Sequence, residues 1–233
     1  AHHVDQIFFN PGGEFIGLQS LIAQARVASR KAPQLVLCLD EAVAVSAAHG
    51  HYMVSGRPQV ILVHSELGTL QMGGNLQNLQ WGRVPVVILA AYQADERRTT
   101  WKGEPYDQGG IVRGNMKWDH RITLDEDLHD ILTEAFQMAC TDPTGPVYLY
   151  FPFDYLAQAT REPDAPPAAA EISALPPADA TALARAADML LEAGNPLIVT
   201  GFAGRHPQNV EAMVRLAETS CAPVLAGQVW MNF

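Results

Sequence analysis

The sequence predicts an α/β fold: a doubly wound, mainly parallel sheet with helices on both faces, followed by the start of a second α/β domain. Three observations carry this. Short runs rich in β-formers alternate with longer segments that are apolar at helical spacing. Most of the short runs are continuously apolar, as expected of parallel strands buried on both faces. Residues 161–178 (REPDAPPAAAEISALPPA) then hold five prolines and little that could pack, and after them the rhythm begins again.

The expected strands lie at 7–9, 35–39, 60–63, 84–89 and 147–150. A helix over 15–30 puts Leu18, Leu21, Ile22 and Ala25 on one stripe. A second, 41–54, is rich in Ala and Val. A third, 125–140, carries Leu128, Ile131, Leu132, Ala135 and Phe136 at helical spacing. Past the break come a helix at 180–193, a strand at 197–199, a helix at 209–219 and a strand at 224–225. The expected organisation is a domain over 1–160, a linker over 161–178 and a partial domain over 179–233. Two βα units cannot close a doubly wound domain, so the chain is expected to continue into something longer.

The 233 residues carry 15 Lys+Arg and 25 Asp+Glu, a net charge of −10, split evenly at −5 on either side of Arg161. Phosphate-backbone binding needs clustered Lys and Arg, so nucleic acid is not an expected partner. The longest apolar run, around 84–91, falls far short of the roughly 20 residues of a membrane helix, so no membrane partner is expected either. Cys38, Cys140 and Cys221 are too far apart for a zinc or disulfide framework. With no secretory leader read, a reducing cytoplasm is the expected location, and Cys38, within an apolar run, reads as a buried inert thiol.

In open α/β sheets ligands sit beyond the carboxyl ends of the strands. Four loops there carry distinctive residues: Asn10-Pro11-Gly12-Gly13, Asp40-Glu41, His64-Ser65-Glu66-Leu67-Gly68-Thr69 and Tyr92-Gln93. Their spacing alone reads Asp40 as a helix cap and Glu41 as an acid favoured at the helix's positive end. It reads His64 as an imidazole satisfied at a turn, or as a proton relay. Pro11, Gly12 and Gly13 allow a close backbone approach to a flat ring, or simply make a turn; Gly68 reads the same way. The loop over 94–110, with Arg97, Arg98, Trp101 and Lys102, either covers the site and meets an anionic substrate group or carries solvated charges. His2, His3, His120, His129 and His206 read as surface or structural.

Taken in order, these segments resemble the pyrimidine-binding domain of thiamine diphosphate enzymes of the acetolactate synthase and benzoylformate decarboxylase type. The resemblance runs from about Val4 to Asp154. It rests on Asn10-Pro11-Gly12, on Glu41 opening an Ala-rich helix that ends Ser55-Gly56-Arg57-Pro58, on Val63-His64-Ser65 with Gly68-Thr69, and on Gly145-Pro146-Val147 with Pro152 and Asp154. The segment after the linker resembles the start of that family's central domain.

The resemblance implies an enzyme: a thiamine diphosphate- and Mg²⁺-dependent lyase or carboligase acting on small 2-oxo acids, as a homodimer or homotetramer. In such enzymes the cofactor's 4'-imino group removes its own C2 proton, and that group exists only when the pyrimidine N1' is protonated. A glutamate bonded to N1' supplies the proton. The resemblance puts Glu41 there, a catalytic histidine at His64, and Pro11, Gly12, Gly13, Gly68 and Gln71 along the cofactor. The sequence departs from the family at Gly13 (a substrate-binding serine in benzoylformate decarboxylases), at Gln71 (an asparagine), at His64-Ser65-Glu66-Leu67-Gly68 (Thr-Ser-Gly-Pro-Gly in acetolactate synthases) and at Ala91-Tyr92-Gln93 (Gly-Gln-Val). The Gly-Asp-Gly motif that binds Mg²⁺ does not occur, so the diphosphate and metal site is expected in a domain outside this chain. An alternative reading takes Gly201-Phe202-Ala203-Gly204-Arg205 as a phosphate loop for FAD or ADP; another makes the chain a non-catalytic homologue. The helices after Glu41 and Gly68 carry more apolar surface than one sheet face absorbs, and they are the expected subunit interface.

Overall fold

In a computed structural model of the chain the described residues are 4–10, 12–92, 107–153, 155 and 176–227. They belong to two compact units, Ala1–Ser173 and Ala174–Phe233. Residues 161–175 of the expected linker lie outside the described residues, as do His2, His3, Pro11, Gln93, Arg97, Arg98, Trp101, Lys102 and Asp154.

The first unit holds six strands: β1 (Gln6–Phe9), β2 (Gln34–Leu37), β3 (Gln59–Val63), β4 (Val86–Tyr92), β5 (Trp118–Arg121) and β6 (Val147–Pro152). All pair in parallel, in the order β2-β1-β3-β4-β6-β5. Among the described residues the α-helices are α1 (Ile16–Val27), α2 (Glu41–Ser55), α3 (Ser65–Gln71), α4 (Asn75–Trp81) and α5 (Leu128–Cys140). Because strand side chains alternate, Ile7, Phe9, Leu62, Val87, Leu149 and Phe151 share one core with Ile22 of α1 and with Ile131, Ala135 and Phe136 of α5. The intervening Phe8, Ile61, Val63, Ile88 and Tyr148 are buried on the opposite face, where α2, α3 and α4 pack. Both faces are covered, which is why β3, β4 and β6 read as unbroken apolar runs.

Helix α2 begins where its cap dictates. The Asp40 side chain accepts from the Ala42 amide at 2.7 Å, and Gly56, at φ +66°, ends the helix in the left-handed conformation glycine tolerates. Its buried stripe is Glu41, Ala44, Val45, Ala48 and Tyr52, the i, i+3, i+4 pattern of one face. Val43, Met53 and Val54 remain exposed. Asp40→Ala should cost about 1 kcal/mol, read as a lower urea midpoint at unchanged slope.

The structure corrects four expectations. Strand β2 ends at Leu37 and is an edge strand: Leu37 and Leu39 are 62% and 93% exposed. Strand β4 runs on to Tyr92, so Tyr92 is a buried strand residue whose hydroxyl accepts from Arg121 Nε at 3.0 Å, not a loop residue. The run from Ser65 to Thr69 is helical, not a loop. Strand β5 was not expected; its Trp-Asp-His-Arg sequence has no apolar run because it lies at the other edge. Cys38 is buried, which pushes its thiol up in pKa.

The second unit holds α6 (Ala180–Glu192), β7 (Ile198–Thr200), α7 (Pro207–Ser220) and β8 (Val224–Ala226), with β7 and β8 paired in parallel. Between Gly201 and α7 lies a 3-10 turn, Ala203–Arg205, so α7 does not open directly from the glycine-rich segment read as a phosphate loop. No described helix is long and apolar enough to cross a membrane. Among the described residues no group of three or more His, Cys, Asp or Glu is placed to hold a metal ion.

Candidate active site

The chain leaves β1 towards β2 on one side and returns to place β3 on the other. A crevice opens where strand order reverses in this way, here between the carboxyl ends of β1 and β3. Three acid–base side chains come from the segments that follow β1, β2 and β3: Glu14, Glu41 and His64.

Glu41 is the first residue of α2, 5% exposed. Among the described residues its carboxylate has no hydrogen-bonding partner. Gly68, in the first turns of α3, lies against it: a Cβ on Gly68 would stand 2.7 Å from Glu41 Oε1 and 3.2 Å from the Val63 backbone carbon. Glycine at 68 is therefore needed for the close approach of α3 to the end of β3 and to this carboxylate. A carboxylate at this place offers acceptors to a ligand that brings its own N–H. The residues present thus fit the protonated N1' edge of a pyrimidine.

His64 follows β3 and is the N-cap residue of α3. Its Nδ1 lies 2.8 Å and 3.0 Å from the two oxygens of Glu14. The Glu14 side chain is fully buried, while that of His64 is 41% exposed. Sequence reasoning missed Glu14. It stopped at Gly13, although an acid one residue further on, at a strand's carboxyl end, was the available signal. Among the other cofactor-side residues, a Cβ on Gly13 would meet nothing within 4 Å, so no close protein contact requires glycine there. Gln71 is exposed at the last turn of α3 and makes no hydrogen bond to Glu14, Glu41 or His64. Pro11 lies outside the described residues.

A buried relay fixes the turn between His64 and α3. Ser65 has a positive φ of 30°, a strained value for a residue with a Cβ that persists where the surroundings enforce it. Thr69 Oγ1 donates to the Ser65 carbonyl at 2.7 Å. With its proton so used, Thr69 Oγ1 accepts from Tyr148, 2.7 Å away. The Tyr148 oxygen in turn accepts from Gln108 Nε2 at 2.8 Å, which also donates to Ala91 O at 3.2 Å. Burial raises the Tyr148 pKa, against lowering by these hydrogen bonds, so the hydroxyl stays a donor. Neither Tyr148, within an apolar run, nor Gln108 carried a sequence signal. Tyr148→Phe should destabilise by about 1–3 kcal/mol, seen as a lower chemical-denaturation midpoint; an unchanged midpoint would show that the relay holds nothing.

At the end of the loop over 94–110, Arg113 pairs with Asp107 at 2.8 Å and with Asp119 at 2.7 Å. His120 bonds Glu126 at 2.8 Å, a structural role.

The fold has counterparts among known proteins. Residues 1–111 match the family described as thiamine pyrophosphate enzyme, N-terminal TPP binding domain. The first unit thus carries the TPP-binding N-terminal domain of the thiamine pyrophosphate enzymes. The chain is 31% identical over 206 residues to benzoylformate decarboxylase of Pseudomonas aeruginosa, covering 86% of this chain and 37% of that protein. It is 24% identical to acetolactate synthase of Bacillus subtilis, over 80% of this chain and 32% of the relative. The crystal structure of benzoylformate decarboxylase from Polynucleobacter necessarius superposes on 96% of the chain and uses 40% of its own, with a TM-score of 0.82 at 23% identity, a likeness of fold. The chain therefore spans between about a third and two fifths of the length of these relatives.

Proposed function

We propose that this chain supplies the pyrimidine-binding half of the active site of a thiamine diphosphate-dependent lyase or carboligase acting on small 2-oxo acids. The observation that carries the reading is the buried Glu41 carboxylate, unmatched among the described residues and held against Gly68 at the carboxyl edge of a parallel sheet. A carboxyl so placed, with no partner among the described residues, is suited to bond a pyrimidine N1'. The positive end of α2 orients it from behind. When bound, the cofactor supplies the nucleophile that adds to the 2-oxo carbonyl. His64 stands in the same crevice, half exposed, with Nε2 unpartnered among the described residues and able to give or take a proton at the substrate oxygen or carbon; this favours decarboxylation over ligation. Gly12, Gly13, Gly68, Gln71 and Pro11 line the cofactor side in this reading, and the diphosphate with its Mg²⁺ is held by a domain outside the chain.

The assembly proposed is a cytoplasmic homodimer or homotetramer in which the other half of each site comes from a neighbouring subunit. Exposed Val43 on α2, and Leu67 and Leu70 on α3, support that surface. The test is turnover by the full-length protein with thiamine diphosphate and Mg²⁺, offered benzoylformate or pyruvate. Aldehyde and CO₂ are expected from at least one, with acetolactate appearing from pyruvate if ligation dominates. Failure to bind the cofactor at all would contradict the proposal.

A further inference from the structure

We propose that Glu14 is a positioning residue for His64, holding the imidazole proton on Nδ1 so that Nε2 is the atom presented to the crevice between β1 and β3. The consequence for turnover rests on the proton-transfer role given to His64 above; the tautomer itself does not.

The argument begins with burial. The Glu14 side chain is fully buried and both its oxygens lie within hydrogen-bond reach of His64 Nδ1, across 50 residues of sequence. A carboxylate is acceptor-only, so the proton between them sits on Nδ1. A neutral imidazole carries one N–H, which leaves Nε2 with a lone pair. Among the described residues Nε2 has no partner, and the ring is the exposed member of the pair. A free imidazole divides between two tautomers; this one is committed to the form that leaves Nε2 open for proton transfer. When His64 takes up a second proton, the same carboxylate faces the new charge.

The backbone around Glu14 is built for this contact. Gly12 is extended, at φ −117° and ψ 157°, a conformation open to any residue. Yet a Cβ on Gly12 would collide with both oxygens and the carboxyl carbon of Glu14. A side chain at 12 would therefore push the Glu14 carboxyl from its place beside His64. Phe15, 1% exposed and edge-on to Phe151, anchors the short 3-10 turn Gly13–Phe15 that carries the acid.

The test reads the tautomer by ¹⁵N NMR on full-length protein labelled at histidine, with the His64 signals identified by their loss in His64→Ala. Read at a pH where the ring is neutral, the wild type is expected to show protonated Nδ1 and bare Nε2. Glu14→Ala and, separately, Gly12→Ala are expected to shift the population towards Nε2–H. In turnover, Glu14→Ala should lower kcat by up to the ~10²–10⁴-fold of losing a general acid–base group, with the Glu14→Ala/His64→Ala double variant no slower than His64→Ala alone. A wild-type ring protonated at Nε2, or an Nδ1–H ring unmoved in both variants, overturns the proposal, and the wild-type reading stands even if a variant fails to fold. If His64→Ala turned over normally, the role of His64 would fall while the tautomer still judged Glu14.

Discussion

Glu41→Gln in the full-length enzyme is expected to fold, assemble and bind cofactor, yet to lose ~10²–10⁴-fold in turnover. Glutamine keeps the size of the side chain and leaves the Asp40 cap and the buried stripe of α2 untouched, so the cost in stability is confined to a weakened interaction with the helix's positive end, about 0.3–1 kcal/mol. What disappears is an exchangeable carboxyl proton. The amide can still accept a hydrogen bond, but it cannot give a proton to N1'. Steady-state assays alongside cofactor titration check this: normal binding with near-normal turnover would remove Glu41 from the chemistry.

The second large effect is expected at His64. His64→Ala should slow turnover by ~10²–10⁴-fold with little change in cofactor affinity. It should also lower stability, because the fully buried Glu14 carboxylate loses its partner and an unmatched buried acceptor costs about 1–3 kcal/mol or more. His64→Gln separates the two effects. Its amide can donate to Glu14 and recover stability, but it cannot transfer protons. A His64→Gln enzyme as stable as the wild type and as slow as His64→Ala is the expected pattern, read from denaturation midpoints and kcat. Restored activity in His64→Gln would make the histidine structural.

How far the sequence disclosed this arrangement follows from what each segment packs against. Strands β3, β4 and β6 are covered on both faces, so apolar continuity announces them. Edge strands lack that mark: β5 keeps Asp119 for Arg113 and His120 for Glu126, and β2 leaves Leu37 exposed. Helix α3 is hidden by its composition, since Ser65, Gly68 and Thr69 read as turn residues; they sit in a helix because the turn is gripped by Tyr148, 79 residues from Thr69. The place of Glu41 at the start of α2 was legible because its cap is local, one residue before it. The partner of His64 was not, since the Glu14–His64 pair exists only once β1 and β3 lie side by side.

The role of Glu41 meets its most direct test in proton exchange at C2 of thiamine diphosphate bound to the full-length protein. Deuterium incorporation from D₂O, quenched and read by NMR, follows deprotonation without need of a substrate. Wild-type protein should exchange at least ~10²-fold faster than Glu41→Gln, at matched cofactor occupancy. Equal exchange rates in the two proteins would contradict the assignment of Glu41 as the residue that activates the cofactor.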